Sequence, residues 1–219
     1  MSLGIASFDE LNKLVGMKRS VPFEQYFAPM RITKKQKEER KRLAEELEDE
    51  FIYMMSYMFY AYPNITADMA DELQERYMNT LIELGIAIGV AQSIEEYQRQ
   101  ATRFSIEIVG ATQRHKDDPY YYSKDRARLC AEDQSNFIYD ISDFADAIES
   151  GYLYKTWNTV ADNRVRDSHA EVEGLTIPID EPFSLQGGYM MAPHDSSLGV
   201  DESELIMCRC SLSSTLSRA

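Results

Sequence analysis

Four helix-start signals punctuate the first 150 residues, and the pattern they set stops at Gly151. Thr33-Lys34-Lys35-Gln36 and Ser93-Ile94-Glu95-Glu96 have the capping-box form, in which a Ser/Thr oxygen and a Glu/Gln side chain satisfy each other's backbone amides. Thr66, followed by Asp68 and Asp71, places a cap and two carboxylates at the positive end of a second helix. Ser123 caps a further one. Met69, Leu73, Tyr77, Leu81, Leu84 and Ile88 recur at helical spacing, and Phe137, Ile141, Phe144 and Ile148 mark another buried face. The expected layout is a short helix around Phe8–Val15, a long helix after Thr33 ended by Pro63-Asn64, then helices from Thr66, from Ile94 to about Thr112, and from Ser123 to Gly151. Gly85 and Gly89 fit a helix approached closely by a neighbour. A tyrosine-rich loop is expected over 113–122. Pro22 and Pro29 bound a weakly structured aromatic arm carrying Phe23, Tyr26 and Phe27.

The long helix has three textures. Lys34, Lys35, Lys37, Arg40, Lys41 and Arg42 form a basic block, read as a solvated face or a docking site for an acidic partner. Glu45, Glu46, Glu48, Asp49 and Glu50 follow. Phe51–Tyr60 is apolar on every side and is expected to be buried all round.

After Gly151 the period shortens. Tyr152, Tyr154 and Thr156 predict a strand, Thr159 and Asp162 restart a helix, and Gly174 closes it. Leu175–Ile179 alternates as a strand that Pro178 confines to an edge. A Gly/Pro/Ser-rich loop is expected over 181–200, and Leu205–Cys210 as the last strand. The fold class expected is mostly α, long N-terminal helices followed by a small α+β C-terminal module with a few short strands. The divisions expected are a variable helical, partner-binding region over 1–120, a module over 121–210 and a tail over 211–219.

Composition narrows the chemistry. A net charge of −14 opposes tight grip on phosphate backbones, which needs Lys and Arg to release counterions. Fourteen tyrosines and eleven methionines suit helical cores and contact surfaces alike. Three cysteines are too few, and odd in number, for a secreted disulfide framework. No signal peptide is read in Met1–Val21, and the longest apolar runs fall short of the roughly 20 residues of a membrane span. The expectation is a soluble protein made in a reducing cytosol.

The residues that carry chemistry cluster after residue 156. Asp162, Arg166 and His169, four and three apart, would share one helix face, with Arg166 placed to pair with Asp162. Trp157, the only tryptophan, is read as a core anchor or an exposed contact. On a strand, Cys208 and Cys210 would point to the same side. With His169 they make a Cys₂His set, one short of the four ligands of a closed zinc site, and Cys130, His194 or Asp195 are the candidates for the fourth. The other readings are a polar structural network and a small nuclease or transferase centred on Arg166 and His169. No Gly-x-Ser-x-Gly, Walker or His-Glu-x-x-His motif is present, and Gly187-Gly188 has no following helix to make a phosphate cradle.

Trp157-x-Thr159-x-x-Asp162-x-Arg164-Val165-Arg166-x-x-His169, then Gly174, Glu181-x-Phe183, Gly188, Pro193-x-Asp195 and Cys208-Arg209-Cys210 resemble the Mu F-like minor head protein family of tailed phages and prophages. Arg126-Ala127-x-Leu129-Cys130-Ala131-Glu132-Asp133 resembles the family's preceding helix. The resemblance covers about 120–210. It departs at two places: the family's Pro-Gly-Asp-Pro is reduced to Pro193-His194-Asp195, and Met207 stands where the family usually has asparagine. The resemblance implies a head morphogenesis protein without enzymatic activity, in several copies, associated with the portal or major capsid protein. It implies assembly in the host cytoplasm, residence in the virion head interior or at the portal vertex, and a role in head assembly or genome packaging and delivery. Trp157, Asp162, Arg166, His169, Cys208, Arg209 and Cys210 would form its structural motif, and a zinc-stabilised interaction module is the alternative. The chain stops soon after Cys210, so the short form without an attached effector domain is expected.

Overall fold

The computed structural model describes residues 4–88 and 94–217. Four helices, those from Phe8, Lys34, Ala67 and Lys124, begin where capping chemistry puts them. Ser7 Oγ accepts from Glu10 N at the start of α1 (Phe8–Val15). The box at Thr33 closes in both directions, 3.2 Å from Gln36 N to Thr33 Oγ1 and 3.0 Å from Thr33 N to Gln36 Oε1, and α3 (Lys34–Ala61) follows. Thr66 caps α4 (Ala67–Ile88) through Met69 N, and Ser123 caps α7 (Lys124–Glu149) through Arg126 N. The box at Ser93 and the glycine at Gly89 lie outside the described residues. α5 (Ile94–Phe104) runs through a π turn at Ser105–Val109 into α6 (Gly110–Arg114). Part of the expected tyrosine loop is a 3₁₀ turn, Pro119–Tyr122.

The chain divides into two compact units, Met1–Val21 with Glu45–Ala131, and Pro22–Ala44 with Glu132–Ala219, so the divisions fall inside α3 and α7. The first unit is helical. Phe51, Tyr77 and Phe104 from three successive helices form its aromatic centre, Tyr77 and Phe104 stacked at 4.4 Å. Asp125 ties down the segment after α1, accepting from the amides of Lys18, Arg19 and Ser20. Burial opposes charge there, but these donors hold the Asp125 carboxyl below its ordinary range.

All-round burial of Phe51–Tyr60 does not occur: Tyr53 and Tyr60 are 44% and 66% exposed while Phe51, Met54, Met55 and Met58 are fully enclosed. Tyrosine has a polar end, so a stretch that reads as uniformly apolar still makes one wet face. The segment buried on every side is instead the polar middle of α7, residues 130–140. There the expected apolar face shifts. Phe137 is inside, Ile141 and Phe144 are half-buried, and Ile148 is 52% exposed, because Asp133, Asn136 and Asp140 take inward positions.

In the second unit the expected loose arm is α2 (Phe23–Phe27), with Phe23, Tyr26 and Phe27 all buried. Arg40, counted in a basic surface block, is fully buried. The sheet has the antiparallel order β2-β1-β5, with β1 (Tyr154–Asn158) central, β2 (Thr176–Pro178) at the edge that Pro178 tolerates, and β5 (Ser211–Thr215) where a tail is expected. Trp157 faces Leu212 and Lys155 faces Ser214 in the β1–β5 register. A second two-stranded sheet, β3 (Phe183–Leu185) with β4 (Gly188–Met190), occupies part of the stretch expected as loop. The remaining elements are two single-turn helices, α8 (Asp167–Glu171) and α9 (Glu202–Leu205).

Candidate functional site

Three expectations for the site's scaffold fail, each for a local reason. No helix begins at Thr159. Thr159 Oγ1 accepts from Ala161 N and Asp162 Oδ1 from Arg164 N, so these short side chains hold 159–164 in turns, and Ala161 adopts φ 55°. Helix starts only at Asp167. Asp162, Arg166 and His169 therefore share no face. Arg166 donates to the Ile206 carbonyl, and Asp162 accepts from Arg209. Nor is Leu205–Cys210 a strand: Leu205 ends α9, Met207 turns at φ 56°, and the strand begins at Ser211.

His169, Cys208 and Cys210 nonetheless converge. Their ligand atoms all lie within 4.8 Å of one another, and the three residues are no more than 3% exposed. His169 Nδ1 is 3.6 Å from Cys208 Sγ and 3.4 Å from Cys210 Sγ. The Cys210 amide is 3.5 Å from Cys208 Sγ. On the ring's other side, Nε2 is 3.1 Å from Glu204 Oε2, close enough for an ion pair but without hydrogen-bond alignment. Glu204 is itself fixed, accepting from Ser168 Oγ at 2.7 Å and Gly187 N at 3.1 Å. A Cβ on Gly187 would stand 2.7 Å from Glu204 Cγ, so the glycine pair makes room for this carboxylate. Trp157 lies edge-on to His169 and to Phe183, closing the apolar wall.

The two thiols divide a charge. Burial opposes it at Cys208, yet hydrogen bonding from Cys210 and His169 and the nearby His194 cation bring that thiol well below its ordinary range. The bond to Cys208, then burial, push Cys210 well above it.

Of the three residues named as a fourth ligand, none joins this group among the described residues. Asp195 accepts from Met191 N, Ser197 N and Ser197 Oγ. His194, fully buried, has Nδ1 3.0 Å from Asp140 and Nε2 3.6 Å from Asp133. Burial works against its charge, but both carboxylates lift its pKa to about 10. Burial also raises Asp140, against the pull of His194 and Arg40.

Sequence reading misses this second cluster. Arg40 donates to Asn136 Oδ1 at 3.1 Å, Asp140 at 2.8 Å and Asp143 at 3.0 Å. Asn136 Nδ2 donates to the Cys208 carbonyl at 3.0 Å, and Asp133 Oδ1 accepts from Met207 N at 2.7 Å. The network thus holds the backbone on which the two cysteines are mounted. Its signal in the sequence is the spacing of Asp133, Asn136 and Asp140, three and four apart on one helix face. Lys155 is also missed: it is fully buried, with no hydrogen-bond partner for Nζ among the described residues, 4.6 Å over the Phe144 ring. Burial lowers its pKa to about 8.

The family described as Phage Mu protein F like protein matches residues 80–213, from within α4 into β5, and so reaches further upstream than the motif resemblance. No curated protein and no solved structure matches the chain.

Proposed function

The chain belongs to the Phage Mu protein F like family of phage head morphogenesis proteins, and on that premise we propose that it is a minor head protein that binds the portal or major capsid protein as the head assembles. The family match over residues 80–213 carries this reading. The site supports a structural rather than an enzymatic role. His169 is 1% exposed and enclosed by two sulfurs, a carboxylate and an indole, while Arg166 is spent on a backbone carbonyl. A general base and a guanidinium serving one substrate need a shared, reachable position, and these two residues do not offer it.

The region over 1–120 is the part we assign to partner binding. Leu14, Met17, Tyr53, Tyr60, Ile86 and Ile106 are all more than 40% exposed in the first unit, a supply of apolar contact outside the core. No helix among the described residues is long and apolar enough to cross a membrane, which fits residence in the head interior or at the portal vertex. Several copies per head are expected, without tight nucleic-acid binding at a net charge of −14.

The test is to purify procapsids and mature heads made with and without this gene and to quantify the chain by mass spectrometry. Its presence in procapsids, cross-linked to portal or major capsid protein, is the expected result. Normal infectious heads that never contain it would sink the proposal.

A further inference from the structure

We propose that His169, Cys208 and Cys210 bind a zinc ion through one imidazole nitrogen and two thiolates, with a water completing the tetrahedron. Zinc with Zn–S of about 2.3 Å and Zn–N of about 2.0–2.1 Å has tetrahedral N···S edges of roughly 3.6 Å. The two edges here are 3.6 and 3.4 Å. A thiol–imidazole hydrogen bond accounts for one of them only, since the single Nδ1 site, as lone pair or as N–H, cannot lie in line with two sulfurs at once. Two sulfurs and one imidazole nitrogen, all within 4.8 Å of one another, have the spacing of a ligand set.

The surroundings agree. Glu204 stands at the far ring nitrogen, where an anionic oxygen favours the tautomer that keeps its proton on Nε2 and leaves Nδ1 for a metal. The Cys210 amide faces the Cys208 sulfur, the usual support for a metal-bound thiolate. Two soft thiolates with an imidazole select zinc over oxygen-seeking cations such as magnesium or calcium. No fourth His, Cys, Asp or Glu joins the group among the described residues, which leaves the last position to water. The ion would pin α8 to the turn before β5, two segments joined by no strand pairing.

The experiment uses the full chain, reduced and stripped with chelator, then titrated with zinc chloride or cobalt chloride. Binding of about one equivalent is expected, with the visible and near-ultraviolet bands of tetrahedral thiolate-bound cobalt and a rise in melting temperature on adding zinc. Cys208→Ser should abolish the cobalt–thiolate bands, and Cys130→Ser should keep them. Glu204→Gln should weaken zinc by about 10- to 100-fold without removing it. Circular dichroism of each apo variant separates lost ligands from lost fold. A wild-type chain that is folded and reduced yet takes up neither metal overturns the proposal, as do thiolate bands that survive Cys208→Ser.

Discussion

The guanidinium of Arg209 sits between both carboxylate oxygens of Asp162, 2.8 and 2.7 Å away, joining the turn after β1 to the centre of Cys208-Arg209-Cys210. The helical neighbour suggested by spacing, Arg166, is elsewhere. Because Arg209 is only 9% exposed, Asp162 satisfies a cation that has little access to water.

A double-mutant cycle checks that pairing. Asp162→Ala with Arg209→Ala should show a coupling of about 1 kcal/mol, while Asp162→Ala with Arg166→Ala should be additive. Urea denaturation of the single and double variants supplies the numbers. Coupling to Arg166 instead would restore the helical reading.

His194→Gln should destabilise the protein by about 3 kcal/mol near neutral pH, since it strips the cation from two buried carboxylates. The sign of the pH dependence follows from the raised pKa. The stabilisation from His194 is complete below its ordinary value of 6.5 and is lost as pH rises toward about 10. Unfolding curves between pH 6 and 10 should therefore fall more steeply for wild type than for the variant.

Lys155 acts in the opposite direction. Its pKa is lowered from 10.5 to about 8, so its buried charge costs stability in full below pH 8, and the cost fades as pH climbs toward 10.5. Lys155→Met, of similar length and free of charge, should stabilise the protein at pH 7 by on the order of 2 kcal/mol. It should also remove the rise in stability expected of wild-type Lys155 above pH 8. A variant less stable than wild type at pH 7 would show that the contact of the ammonium with the Phe144 ring outweighs the cost of burying it.

Met207 offers a gain from backbone geometry alone. Its φ of 56° belongs to the left-handed region, which costs an ordinary side chain roughly 1 kcal/mol. Met207→Asn should raise the melting temperature, with Met207→Gly close behind it. His194 shares the trait at φ 66°. Both departures from the family pattern, methionine for asparagine and histidine for glycine, thus fall where those family residues turn without strain. At His194 the buried ion pairs offset the strain, so His194→Gly should still destabilise.

Most helix starts were legible because capping is local chemistry: an oxygen and the amides two or three residues later need no distant partner. The edge position of β2 was legible from Pro178 for a similar reason. The module after Gly151 was harder. Thr159 and Asp162 signal a helix start and a turn equally well, and only the long-range bonds to Glu173 and Arg209 decide between them. The hairpin at 183–190 was hidden because Gly187 and Gly188 read as loop, whereas their small size is needed beside Glu204 and Val200.

The sequence by itself determined which residues have the chemistry to form a centre. Residue type alone singles out His169, Cys208 and Cys210, and they meet although the strand expected to bring them together is absent. Tertiary structure alone decided how they meet and what surrounds them. Glu204 stands beside His169, Asn136 donates to the Cys208 carbonyl from α7, and His194 pairs with Asp133 and Asp140 of the same helix, contacts that sequence spacing does not reveal. Periodicity reports which face of an element is apolar; it carries no information about a buried charge whose partner lies a hundred residues away, such as Arg40 with Asp140.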